Sequence, residues 1–146
     1  MTQALCTSFK LEMLKAQHNF AASGGHTFKI ALAKAGVVLS ASTSNYSALG
    51  ANEVGNTGTY SAGGLILTNV DPSADGTTGM VTFSGNPQWT GVTFTDCTQA
   101  LIYNTNGGSN RAVAVLDFGG NQAVTAGTFT INLPSATATT ALLRFI

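Results

Sequence analysis

The two cysteines carry the most distinctive covalent chemistry of this chain. Cys6 lies close to the start, and Cys97 follows 91 positions later. Two thiols can remain reduced, form one disulfide within a subunit, or link neighbouring subunits. An early segment is expected to be exposed, and the polar run around Cys97 is typical of a strand end, so Cys6 of one copy can reach Cys97 of the next. Cys6 and Cys97 are therefore candidates for an inter-subunit disulfide, with free thiols as the alternative.

A metal site would require closely spaced cysteines and histidines. His18 and His26 are eight positions apart, and no two of the four residues have the short spacing of a zinc site. His18 is predicted at the end of a helix, where a cation interacts well with the dipole, and His26 at the start of a strand. No metal and no other cofactor is expected.

Patterns typical of catalysis are also missing. The chain has six acidic residues, which are Glu12, Glu53, Asp71, Asp75, Asp96 and Asp117. Asp71 and Asp75 precede Pro72 and Gly76, which is typical of turns. No G-x-S-x-G motif is present, and the glycines between 55 and 58 lack the lysine of a phosphate-binding loop. The protein is expected not to be an enzyme.

One aromatic pair keeps a sugar-binding hypothesis open. Trp89 and Phe94 fall at odd and even positions of one predicted strand, so they are expected on opposite faces. An exposed aromatic ring among Thr and Asn side chains can stack on a sugar. A buried Trp89 that belongs to the core is the alternative.

One segment has helical periodicity. From Ser8 to Phe20, apolar residues recur at helical spacing, with Thr7 or Ser8 available as a cap. Gly24 and Gly25 follow. We predict one amphipathic helix over about residues 8–20.

After this segment the hydrophobic period changes to two. Strands are predicted at 28–32, 64–70, 79–84, 88–95, 100–104, 111–118, 127–133 and 141–146, separated by turns rich in Gly, Asn, Asp and Pro. Residues 36–63 are rich in Ser, Asn, Gly and Ala and predict an extended arm or contact loop. The pattern favours a single domain over residues 1–146, mainly β, with a β domain over about 26–146. Its predicted architecture is an antiparallel β-sandwich with one N-terminal α-helix.

Composition narrows the classes of partner. Six basic and six acidic residues give zero net charge, and only 8% of residues are charged. Such a chain has no field to attract nucleic acid or anionic lipid, so neither is an expected partner. No apolar run is long enough for a membrane span, and the first 20 residues lack the features of a secretory signal. Zero net charge favours association with other protein copies.

Several segments together resemble a known family. They are Phe9-Lys10-x-Glu12-x-Leu14 with His18-x-Phe20, His26 to Leu32, Asn52-Glu53-Val54, Tyr60-x-Ala62-Gly63-Gly64, Ala100 to Asn104, and Asn110 to Gly119. In this order they resemble small virion structural proteins of tailed bacteriophages, some of which are similar to capsid cement or decoration proteins. The resemblance extends from Phe9 to about Leu133, and its motifs are structural ones.

The resemblance implies a non-enzymatic structural role. The expected function is that of a capsid cement or decoration protein, made in the bacterial host cytoplasm and located in the virion. Its expected partners are the major capsid protein and its own copies, with a homotrimer as the first prediction. The alternatives are a neck, tail or fibre-attachment component, or a carbohydrate-binding module.

Overall fold

A computed structural model describes all residues from 1 to 146, and antiparallel strands form most of it. The strands are β1 (Thr2–Leu5), β2 (Phe28–Lys34), β3 (Leu65–Asn69), β4 (Ser73–Asp75), β5 (Thr78–Val81), β6 (Phe83–Ser84), β7 (Gln88–Asn104), β8 (Arg111–Thr130) and β9 (Leu143–Phe145). The single α-helix is α1 (Thr7–Leu14), and two 3-10 segments span Tyr46–Asn52 and Asn106–Gly108.

The strands form two sheets around one core. The larger sheet has the order β1-β8-β7-β2-β3-β6, and the smaller has the order β4-β5-β9. Every pairing is antiparallel. Val81 and Leu143 of the small sheet belong to the same apolar cluster as Phe28 and Leu101 of the large one. The predicted fold class, a mainly β antiparallel sandwich with one N-terminal helix, is confirmed.

Two strands are much longer than predicted. Residues 88–95 and 100–104 belong to one continuous strand, β7, and the predicted turn at Gly119-Gly120-Asn121 lies inside β8. The pairing of β7 with β8 continues through several register shifts instead of ending. Gly119, which lies in this region of β8, has a φ of 77°. Because a bulge inserts a residue without breaking a ladder, glycines that resemble a turn can lie within a strand.

The N-terminal prediction is wrong in its boundaries. The helix ends at Leu14, not at residue 20, since the amide of Gln17 bonds back to Glu12 and Ala16 adopts a left-handed φ of 54°. An unpredicted strand, β1, precedes the helix and pairs with residues 114–117 of β8. The β structure therefore begins with β1 at Thr2 and not at about residue 26 as predicted, with α1 following β1.

The predicted arm at residues 36–63 is also corrected. Leu39, Leu49, Val54 and Tyr60 are buried and belong to the common core. Backbone bonds tie the segment to the large sheet, including Val54 to Leu32 at 2.9 Å. This stretch packs against its own sheet, because its scattered apolar residues find partners that no local periodicity reveals.

Candidate functional site

One polar group of residues joins the N-terminal segment to the large sheet. We call Glu12, His18, His26, Asn104 and Arg111 the histidine cluster. The Nε2 of His18 lies 2.8 Å from a carboxylate oxygen of Glu12, whose other oxygen lies 3.6 Å from Nε of Arg111. The amide nitrogen of Asn104 lies 3.0 Å from Nδ1 of His18 and 2.9 Å from Nδ1 of His26.

This geometry fixes the protonation state of His18. Asn104 is fully buried, and its oxygen already accepts the backbone N–H of Asn106 at 2.9 Å, so its nitrogen must face the two rings. That nitrogen only donates, so Nδ1 of His18 accepts and its proton lies on Nε2, which donates to Glu12. Burial lowers the pKa of His18 and outweighs the opposing effect of Glu12. His18 is therefore a neutral buried ring, and it lies beyond the end of α1 rather than at a helix end as predicted.

A second polar group anchors the segment at 36–63. We call Tyr46, Glu53, Tyr60, Gly63 and Tyr103 the glutamate cluster. Glu53 accepts hydrogen bonds from the hydroxyl groups of Tyr46 and Tyr60, the latter at 2.8 Å, and from the amide of Gly63 at 2.6 Å. Tyr103 donates to the carbonyl of Gly63 at 2.6 Å and stacks on Tyr46 with ring centroids 4.7 Å apart. One carboxylate therefore gathers two turns of a long loop onto the sheet.

The tyrosines of this cluster remain neutral donors. Burial raises the pKa of Tyr46 and Tyr60 far above the usual range, and the charge of Glu53 adds to the effect. Burial first, and Glu53 second, raise the pKa of Tyr103 to about 12. Each phenol keeps its proton at physiological pH, so none is an activated base.

The structure contradicts the predicted exposure of Cys6. Cys6 and Cys97 are both free and fully buried. Cys6 lies between β1 and α1, where its amide bonds to Val113 at 3.0 Å, and Cys97 lies within β7 rather than at a strand end. Burial raises the pKa of the Cys6 thiol to about 11 and that of Cys97 to about 12. An inter-subunit disulfide between Cys6 and Cys97 would require both sulfur atoms to leave the core, so the geometric reason for predicting it is lost.

Trp89 and Phe94 do not lie on opposite faces as predicted. Both are buried, and Trp89 is only 1% exposed, packed edge-on against Tyr60. Register shifts between residues 89 and 94 break the simple alternation of the strand. Trp89 therefore belongs to the core and offers no face to a sugar.

Three of the other acidic residues accept hydrogen bonds within the chain. Asp71 and Asp75 accept the amides of Ala22 and Ala138. Asp117, predicted near a strand end, lies inside β8 and accepts from Gln99, which also bonds both backbone groups of Leu39. Across the chain, no three residues among His, Cys, Asp and Glu are grouped so as to hold a metal.

Sequence reasoning missed the two buried amides that organise these contacts. Gln99 and Asn104 flank the apolar run at 100–103, and both are buried. A polar amide at each end of a core strand is the signal that could have revealed them, because a buried amide must find several partners.

The exposed surface carries different features. A groove of about 580 Å³ lies between α1 and β9, and its lining residues are Leu5, Lys10, Met13, Leu14, Arg144, Phe145 and Ile146. Leu14 is 88% exposed and Ile146 is 95% exposed. The outer strands of the small sheet, β4 and β9, each pair on one side only. Hydrophobic area and unpaired backbone both favour contact with another protein.

Comparison with known proteins identifies no relative. No protein-family model, curated protein or solved structure matches this chain. No helix in the structure has the length and hydrophobicity needed to cross a membrane.

Proposed function

We propose that this protein is a non-enzymatic structural component of a tailed-phage virion, acting as a capsid cement or decoration protein. The observation that carries the proposal is that the clustered polar side chains serve the protein's own structure, whereas its exposed surface is suited to contact with other proteins. The histidine cluster and the glutamate cluster are engaged in internal hydrogen bonds that fasten long segments to a sheet. The exposed surface instead offers open strand edges and an apolar groove.

Two properties of the sequence support the same role. The chain has zero net charge with only 8% charged residues, which suits contacts through main chain and van der Waals packing. Its motifs also resemble those of small virion structural proteins. The mechanism is additive binding: a protein that binds only the assembled shell stabilises that state by mass action.

The rival position is a neck, tail or fibre-attachment site in the same particle. Mass spectrometry of purified virions, calibrated with labelled peptides, measures copies of this chain per copy of the major capsid protein. A cement protein is expected at a number comparable with that of the capsid protein. A number that matches a single ring contradicts the cement role and favours the neck or tail, while absence from purified virions contradicts the virion proposal altogether.

Binding to the shell has its own test. Particles that lack the protein, incubated with the purified chain, are expected to regain it at saturating stoichiometry and to release their DNA at a higher temperature. The matched control is the same chain in denatured form. It lacks the native structure and is expected to be removed from the particles by washing. Saturable binding without any gain in shell stability would contradict the cement mechanism.

A further inference from the structure

We propose that copies of this protein associate head to tail, with β9 of one copy pairing against β4 of the next so that their small sheets become continuous. This inference deepens the proposed function and rests on it for its setting, since a shell protein meets neighbouring copies. It identifies the surface and the partner, which is a second copy of the chain.

Both strands are free to accept another strand. β5 lies at the centre of the small sheet, with β4 on one side and β9 on the other, so each outer strand has one open edge. All three residues of β4 are exposed, as are Arg144 and Phe145 of β9. Each strand has three residues, so the central Ala74 and Arg144 can face each other in register. Adding a strand satisfies backbone groups on both edges.

The two edges carry opposite charge. Asp71 precedes β4 and Asp75 is its last residue, and each also accepts one backbone amide of its own chain. Arg144 lies in β9 and donates to the carbonyl of Ala138, and Lys10 lines the groove beside β9. All four are exposed, and none forms an ion pair within the chain, where the ion pairs all involve Glu12. An acidic edge on one copy and a basic edge on the next attract each other, whereas two identical edges repel.

Exposed apolar residues lie beside both edges of the small sheet. The groove between α1 and β9 contains Leu14, Phe145 and Ile146, which are all exposed. Near the opposite edge of the small sheet, formed by β4, Val70 is 37% exposed and Pro72 comes just before the strand. Strand pairing brings the 70–72 segment of one copy towards the groove of its neighbour, where both surfaces lose water.

A contact between two different edges of the same chain is heterologous. It leaves one open edge at each end of a dimer, so association continues until the rotation between copies closes a ring. A closed ring leaves neither edge of the small sheet unpaired. The homotrimer predicted from the sequence is one such ring, and the rotation between copies sets the ring size.

Charge reversal tests this contact. In sedimentation velocity across a concentration series, the wild-type chain is expected to associate. K10E/R144E and D71K/D75K are each expected to raise the dissociation constant at least about tenfold, because like charges then face each other. The quadruple variant restores opposite charges and is expected to regain association. Mixing the two double variants is also expected to restore it.

The controls separate edge contact from net charge and from misfolding. K29E/K34E changes the net charge by the same amount as K10E/R144E but lies on β2, so it is expected to associate like the wild type. Melting curves establish that each variant is folded. If a double variant unfolds, Ala74→Cys mixed with Arg144→Cys is used under mild oxidation, and cross-links between the two are expected in excess of those formed by either alone.

The proposal is overturned if the wild type stays monomeric at the highest concentration, if folded double variants associate like K29E/K34E, or if the cysteine mixture gives no excess cross-linking. A failure here is distinguishable from a failure of the proposed function. The first is measured on the isolated chain and the second by copy number in virions.

Discussion

Two irregular segments are packed against the large sheet, and different chemistry holds each of them. The segment at 15–27 depends on His18, a ring whose pKa burial lowers in the folded chain, so that the unfolded chain takes up the proton first as the pH falls. The segment at 36–63 depends on Glu53, whose tyrosine partners keep their protons well above neutral pH. One fold therefore fastens one segment through a histidine that responds to acid and another through phenols that keep their protons.

The attachments also differ in what lies beneath them. The segment at 15–27 contributes Phe20, which joins Phe9 of α1 in an aromatic group with Phe28 and Phe83 and stacks on Phe28 at 4.3 Å. The loop contributes single buried residues such as Leu49 and Tyr60. The first attachment therefore rests on a compact aromatic group, whereas the second is spread over Leu39, Leu49, Val54 and Tyr60.

The largest effect is expected from deleting residues 1–20. This deletion removes β1 together with the buried rings of Phe9 and Phe20, each of which is worth about 3–5 kcal/mol when truncated to alanine. The shortened chain is expected to lose cooperative thermal unfolding, monitored by circular dichroism. The control is Leu14→Ala, whose side chain is 88% exposed and whose loss is expected to leave the melting temperature unchanged. A shortened chain that melts like the wild type would show that this segment is separable after all.

The next effect concerns the glutamate cluster. Glu53→Ala leaves the hydroxyl groups of Tyr46 and Tyr60 and the amide of Gly63 without their acceptor, so the free energy of unfolding is expected to fall by about 2–3 kcal/mol. Urea denaturation measures this change. Glu53→Gln keeps one acceptor oxygen and is expected to lose less. Equal losses for both variants would contradict this expectation, because they would mean that neither the packing of the side chain nor a single acceptor oxygen holds the loop without the full carboxylate.

Acid is expected to loosen the N-terminal attachment. The folded pKa of His18 lies below its ordinary value of 6.5, so the unfolded chain takes up the proton first as pH falls. The free energy of unfolding therefore decreases as the pH drops through that value. A proton added to His18 would be placed on Nδ1, where it faces the donating amide nitrogen of Asn104. The other charged or titratable neighbours of the ring are Glu12, Arg111 and His26.

Urea denaturation between about pH 7.5 and 5.5 measures this slope, a range that brackets the ordinary histidine pKa. His18→Gln is expected to flatten it, whereas Glu53→Gln is expected to keep the wild-type slope because it leaves His18 and its hydrogen-bond partners in place. A wild-type slope in His18→Gln would contradict the assignment to His18.

The smallest effect is a difference in thiol labelling. Both thiols are buried with raised pKa values, so folded protein is expected to react slowly with a thiol reagent and unfolded protein quickly. His18→Gln is expected to speed the labelling of Cys6, beside α1, more than that of Cys97 in the sheet, because local opening exposes only the first. Peptide mass spectrometry distinguishes the two sites. Equal acceleration would mean that both segments open together.

The fold class could be predicted from the sequence alone, because alternation of apolar residues and turn chemistry are local signals that any half-buried strand must show. The sequence also determined the low charge that favours association. The helix boundary could not be predicted, since the spacing of Phe9, Met13, Ala16 and Phe20 suits a helix whether or not the backbone continues as one. Phe20 reaches the core through an irregular return, which the periodicity does not distinguish from a third helical turn.

Only the tertiary structure decided which polar residues act together. Glu12 and Asn104 are 92 positions apart and meet through His18 alone, and Glu53 collects Tyr46, Tyr60 and Gly63 from a stretch without periodicity. It also decided that Cys6 is buried, because β1 continues the large sheet and α1 closes over it. Long-range contacts of this kind depend on strand order and register, and neither is encoded in the spacing of residues along one segment.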